Sequence, residues 1–145
     1  MSATILIVED SPTVLRMASA ALEDGGFRVL TATDGEAALQ LVKREKPDLI
    51  VLDIILPKIN GFQVCRHLKN DPASRHIKIL LLSSKSGESD RYWGLRQGAD
   101  DYLTKPFEPE GLVSTVTRLL NRPAGAASDP ARVPGVPVAS PPKRS

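Results

Sequence analysis

The chain moves between two hydrophobic rhythms. Residues 5–8, 49–52 and 77–82 are short runs that are apolar apart from Lys78, and 49–52 is apolar on both faces, the pattern of a strand buried inside a parallel sheet. Residues 28–32 and 101–104 are more mixed and read as two further strands. Between these runs, apolar residues recur three and four positions apart, the spacing of one face of a helix. Ser11 offers an N-cap hydroxyl, and Pro12 stands where a first helical residue needs no N–H. Val14, Ala18, Ala21 and Leu22 then form a stripe that ends at Gly25-Gly26. Asp34 caps a second helix carrying Ala38, Leu41 and Val42. Phe62, Cys65 and Leu68 mark a third over residues 61–69, and residues 89–97 form a fourth. Pro109 opens a fifth, with Leu112, Val113, Val116, Leu119 and Leu120 on its inner face.

Five strands alternating with five helices predict an α/β fold, a doubly wound parallel sheet with helices on both faces. In such sheets the ligand site lies beyond the carboxyl ends of the strands, where the strand order reverses. Glu9, Asp10, Asp53, Ser83 and Lys105 fall just after predicted strands one, three, four and five. Residues from distant segments are therefore expected to meet at one edge.

Composition divides the chain. Six of the 12 prolines lie in residues 122–145, which have no large aliphatic or aromatic side chains. Such a segment cannot bury enough apolar surface to offset its ordering entropy, so residues 1–121 are expected to fold and 122–145 to be a disordered tail. The whole-chain net charge of +2 is set by that tail, which holds Arg122, Arg132, Lys143 and Arg144 against Asp129. Without it, 15 basic residues face 16 acidic ones, so the folded part is not a nucleic-acid binder by charge. No apolar run reaches the roughly 18 residues of a membrane span, and the N-terminus lacks the basic flank of a signal peptide. The single cysteine, Cys65, cannot form an internal disulfide, and a cytoplasmic location is expected.

The acids at the predicted edge are costly. Two carboxylates about 4 Å apart repel by roughly 4 kcal/mol at an effective dielectric of about 20. A cluster therefore needs a counter-charge, or one acid must keep its proton. Lys105 is one remedy. A divalent cation is the other, and an all-oxygen site that retains waters suits Mg²⁺. A carboxylate beside a metal is prepared to meet a phosphoryl group.

Four motifs, VEDSP at 8–12, DIILPKING at 53–61, LLSSK at 81–85 and GADDYLTKPF at 98–107, together resemble the receiver domain of two-component response regulators. The resemblance runs over about residues 3–121; the segment WGLRQGA is similar to single-domain chemotaxis and twitching-motility types, and NDPASRHI is similar to stand-alone or cyclase-linked regulators. It implies a flavodoxin-like (βα)5 fold. It also implies that Asp53 is the phosphoacceptor, charged by a histidine kinase or phosphotransfer protein. Glu9, Asp10, Asp53 and the backbone carbonyl of Ile55 would hold Mg²⁺. Ser83 would be the switch hydroxyl, Lys105 would pair with the phosphoryl group ahead of a cis bond to Pro106, and Tyr102 would report the state of Ser83. The output surface would be the face of helix four, strand five and helix five, meeting a downstream protein without contacting nucleic acid or inserting into membrane.

The local chemistry weighs against other functions of such sheets. A flavin binder needs a phosphate loop rich in glycine and hydroxyls after strand one, where this chain has Glu9 and Asp10. A phosphatase resembling the haloacid dehalogenases carries a second acid two residues after its nucleophile, and Ile55 supplies none. A switch, not an enzyme, is the reading. The alternative is a receiver-like scaffold that binds partners without phosphorylation. Elsewhere, Gly94 weakens the fourth helix and Trp93 is expected to point outward. Cys65 is read as core, His67 and His76 as surface, and Asp100 and Asp101 as solvated turn residues.

Overall fold

The structure, a computed structural model, describes residues 3–84 and 95–122. Among these the order is β1 (Thr4–Val8), α1 (Pro12–Asp24), β2 (Arg28–Ala32), α2 (Gly35–Glu45), β3 (Leu49–Asp53), α3 (Gly61–Asn70), β4 (Lys78–Ser83), β5 (Asp101–Thr104) and α4 (Pro109–Leu120). Most of the helix predicted over 89–97, including Trp93 and Gly94, lies outside the described residues, as does the predicted tail beyond Arg122; residues 95 and 96 are helical.

All strands are parallel, in the order β2-β1-β3-β4-β5. The order reverses between β1 and β3, and this gap is where a site is expected. Alternate side chains face opposite ways, and each face carries its own core. Leu6, Val8, Ile50, Leu52, Ile79 and Leu81 lie under Ala38 and Val42 of α2 and Val64, Cys65 and Leu68 of α3. Ile5, Ile7, Leu49, Val51, Leu80 and Leu82 lie under Ala18 and Leu22 of α1 and Leu112, Val116 and Leu119 of α4. The central strands have two covered faces, which is why they read as unbroken apolar runs.

The helix starts follow from side-chain caps. Ser11 accepts from the Val14 N–H at 3.4 Å and Asp34 from the Ala37 N–H at 2.8 Å. At α3, Asn60 and Gln63 form a reciprocal capping box, with bonds of 2.9 and 3.0 Å. Its signal in the sequence is the Asn-x-x-Gln spacing ahead of Val64 and Cys65. Strand β4 begins and ends one residue later than the apolar run, so Ser83 is its last ladder residue.

Asp100 and Asp101 are not solvated turn residues. Asp100 is 4% exposed. Its backbone N–H donates to the Ile79 carbonyl at 2.8 Å and its carboxylate accepts from the Ile79 N–H at 2.8 Å, so it extends the β4–β5 ladder by one step. Lys69 Nζ lies 3.5 Å from that carboxylate and also donates to the carbonyls of Arg75 and Ile77 at 3.0 and 2.9 Å. Asp101, half-buried, pairs with Arg118 of α4 at 2.6 Å. A buried N–H near a strand start needs an acceptor, and the sheet, not the local turn, recruits Asp100 for that of Ile79.

Candidate functional site

The expected carboxyl-edge residues do converge. Glu9 follows β1, and its backbone N–H donates to the Ala32 carbonyl at 3.0 Å, which continues the sheet under it. Its side chain is buried: Oε2 accepts from the Ser11 N–H at 3.0 Å, and Oε1 lies 2.7 Å from Lys105 Nζ. That close ion pair is the partner the structure gives the buried Oε1. Burial raises the Glu9 pKa, against the lowering effect of Lys105 and the Ser11 N–H. Asp10, beside it, is exposed.

Asp53 ends β3 and is 5% exposed. Its Oδ1 accepts from the Ile55 N–H at 3.2 Å and its Oδ2 from Lys105 Nζ at 3.0 Å. One oxygen each from Glu9, Asp10 and Asp53 fall within 4.8 Å of one another. Lys105 follows β5, its N–H donating to the Ser83 carbonyl at 2.7 Å, and its peptide bond to Pro106 is cis. Burial works against the Lys105 charge, but contact with Glu9 and Asp53 prevails and its pKa is raised.

Gly61 fixes the loop that carries Ile55. Its N–H donates to the Ile54 carbonyl at 2.7 Å, and a Cβ there would lie 2.4 Å from the Asp53 carbonyl oxygen. Only a glycine lets α3 start so close to the acid. Ile55 itself is 62% exposed at the rim. Ser83, buried, ends β4 on the same sheet face as Leu81, and Tyr102 pairs with Leu81 in register. Tyr102 is 6% exposed and belongs to the core under α2 and α3. The structure thus gathers Glu9, Asp10, Asp53 and Lys105 and brings Ile55 to the same rim; it sets Ser83 and Tyr102 on one face. Cys65 is core, its thiol pushed up to about 12 chiefly by burial, while His67 and His76 are exposed, as the sequence implied.

The donor set fits a hard divalent cation. All its side-chain donors are carboxylate oxygens, drawn together from Glu9, Asp10 and Asp53. Lys105 already neutralises part of the cluster from one side.

A five-stranded parallel sheet of this order, with acids and one lysine at its switch point, defines the flavodoxin-like class of signalling domains. The chain belongs to the response regulator receiver domain family, whose model matches residues 5–117. It is 44% identical over 118 residues to Protein PilH of Pseudomonas aeruginosa, covering 81% of this chain and 98% of that protein. It is 43% identical over 127 residues to the alkaline phosphatase synthesis transcriptional regulatory protein PhoP of Bacillus subtilis, covering 88% of this chain but 52% of that relative. Among solved structures, the receiver domain of sensor histidine kinase PA1611 from P. aeruginosa is 30% identical, with a TM-score of 0.78, covering 84% of this chain and all of that one; it has a magnesium ion coordinated in its active-site cleft. No helix among the described residues is long and apolar enough to cross a membrane.

Proposed function

We propose that the protein is a phosphorylation-dependent switch of a two-component relay in which Asp53 accepts the phosphoryl group from a histidine kinase or phosphotransfer protein. The observation that carries this is the placement of Lys105 Nζ, 2.7 Å from Glu9 and 3.0 Å from Asp53. A cation held over two buried carboxylates offsets their mutual repulsion, and it stands ready for the charge of a third group. In transfer, an Asp53 carboxylate oxygen attacks phosphorus, the P–N bond of the phosphohistidine breaks, and the imidazole leaves with the bonding pair.

Glu9, Asp10 and Asp53, with the Ile55 carbonyl, would hold Mg²⁺, and the magnesium-bound relative supports this assignment. When bound, that ion neutralises the cluster and phosphoryl oxygens together. Lys105 would move from Asp53 to the incoming phosphoryl group. Ser83 would hydrogen-bond to it, and Tyr102, on the same face, would follow that movement in the core. The output face would comprise the helix expected over 89–97, β5 and α4, and would meet a downstream protein in the cytoplasm. In this reading residues 1–121 hold the switch, residues 122–145 are an appended tail, and the domain is not itself an enzyme. Ile55 stands where a hydrolytic acid would otherwise sit, which favours a lasting acyl phosphate.

Intact-mass measurement after treatment with acetyl phosphate tests the reading. One phosphoryl group is expected with Mg²⁺, none without it, and none in Asp53→Asn. Addition that persists in that variant would reject Asp53 as the acceptor.

A further inference from the structure

At the opposite edge of the sheet, the ends of α2 and α3 leave a groove. Its cavity of about 210 Å³ is lined by Leu39, Val42, Leu68 and Ala73, with Lys43, Lys46 and His67 at its mouth. Asp71 also lines it, but its Oδ1 accepts from the Ala73 N–H at 3.0 Å.

The charge around this groove departs from that of the domain. Residues 39–46 and 66–76 hold Lys43, Arg44, Lys46, Arg66, Lys69 and Arg75 against Glu45 and Asp71; with Lys69 paired to Asp100, an excess of three positive charges remains. Residues 1–121 as a whole carry one more acid than base, so the rest of the domain is correspondingly acidic. Lys43 and Lys46 are exposed and have no acid partner among the described residues.

Size and composition identify the occupant. Small-molecule pockets run to roughly 300–1,000 Å³, and this cavity is smaller. It has the scale of a hole for one large apolar side chain, the usual anchor of a protein interface. A nucleic acid would need aromatic stacking surfaces or an apolar-free phosphate track, and the groove offers neither. We propose that the α2–α3 groove is a second docking surface, which takes an acidic amphipathic segment of a partner protein, its apolar anchor in the cavity and its carboxylates on Lys43 and Lys46.

This surface uses none of the acid-site residues. The groove residues precede β3 and β4, whereas Asp53 and Ser83 end those strands. Binding there does not require a phosphoryl group, so the domain would be held beside its partner in either state.

The test is selection of short random peptides displayed on phage against the full chain, with counter-selection on Lys43→Glu/Lys46→Glu. Enriched sequences should combine Asp or Glu with one Leu, Ile or aromatic anchor. Backbone amide shifts on adding the most enriched synthetic peptide should concentrate in residues 39–46 and 67–74. The charge-reversed variant should bind that peptide at least about tenfold more weakly. Ala73→Phe, which fills the cavity without changing charge, should weaken binding similarly while thermal stability holds. Asp53→Asn should bind the peptide as the parent does. Failure to enrich acidic, anchored sequences, or shifts elsewhere on the domain, would overturn the proposal. So would stronger Lys43- and Lys46-dependent binding of a single-stranded oligonucleotide or of vesicles containing phosphatidylglycerol. Because the readout is peptide binding, loss of phosphorylation at Asp53 would leave it standing.

Discussion

Lys105 and Asp53, 52 residues apart in the chain, meet at 3.0 Å through Nζ and Oδ2. The same ammonium lies 2.7 Å from Glu9, so one cation serves two buried acids. It occupies an Asp53 oxygen of a donor set that fits a metal ion.

Removing that competitor should leave the metal site in place. Lys105→Ala is expected to bind Mg²⁺ with affinity equal to or tighter than the parent in calorimetric titration. Its amide-shift response to phosphorylation should be blunted. A large loss of Mg²⁺ affinity would instead make Lys105 the group that holds the acids together.

Glu9 gives the site a pH dependence with a definite sign. Burial raises its pKa above the ordinary 4.5, so the folded, metal-depleted protein binds its proton more tightly than the unfolded chain. That contribution to stability is complete below the ordinary value and is lost as pH rises through the folded pKa. With chelator present, the thermal midpoint should therefore show a downward component over that window, and Glu9→Gln should remove it. Mg²⁺ affinity should tighten over the same window, because a protonated Glu9 is a poor ligand. Identical midpoint profiles for parent and variant would refute this.

Gly61→Ala should disturb both fold and site. Its Cβ would fall 2.4 Å from the Asp53 carbonyl oxygen and 2.7 Å from the Ile54 Cα, both backbone atoms that yield little. A loss of about 1–3 kcal/mol in urea unfolding is expected, with slower phosphorylation by acetyl phosphate. Parental values for both would mean that the loop adapts without cost.

Asp100→Ala removes the acceptor for the Ile79 N–H and the partner of Lys69. A charged hydrogen bond of this kind contributes about 1.5–3 kcal/mol, and a loss of that size should appear in urea unfolding. Amide exchange should rise at Ile79. A change confined to a few tenths of a kcal/mol would return Asp100 to the role of a solvated turn residue.

Cys65 should resist alkylation. Its thiol is buried and pushed up to about 12, and its Sγ lies 3.4 Å from the Gln97 carbonyl. Iodoacetamide should leave the native protein unmodified by mass at neutral pH and label it fully in urea. Prompt native labelling would show that α3 opens readily.

Much of this was legible in the rhythm of the chain. The strand Leu49–Asp53 and the helix starts after Ser11 and Asp34 were readable because two-sided burial and capping act on near neighbours. Glu9, Asp10, Asp53 and Lys105 could be assigned to one edge because all parallel strands end on the same side. Asp100 was misread because its aspartate-rich turn looks like any other polar turn. What distinguishes it is the N–H of Ile79, 21 residues away, which donates to its carboxylate and which no local pattern records.

By itself, the sequence determined the alternation of elements and the presence of acids and a lysine at strand ends, because each follows from where single side chains can be buried. Tertiary structure decided which of those groups touch. The order β2-β1-β3-β4-β5 sets Lys105 over Glu9 and Asp53, Gly61 against the Asp53 backbone and Asp100 beneath β4. Those contacts depend on distances between strands, and such distances are fixed only when the whole sheet closes.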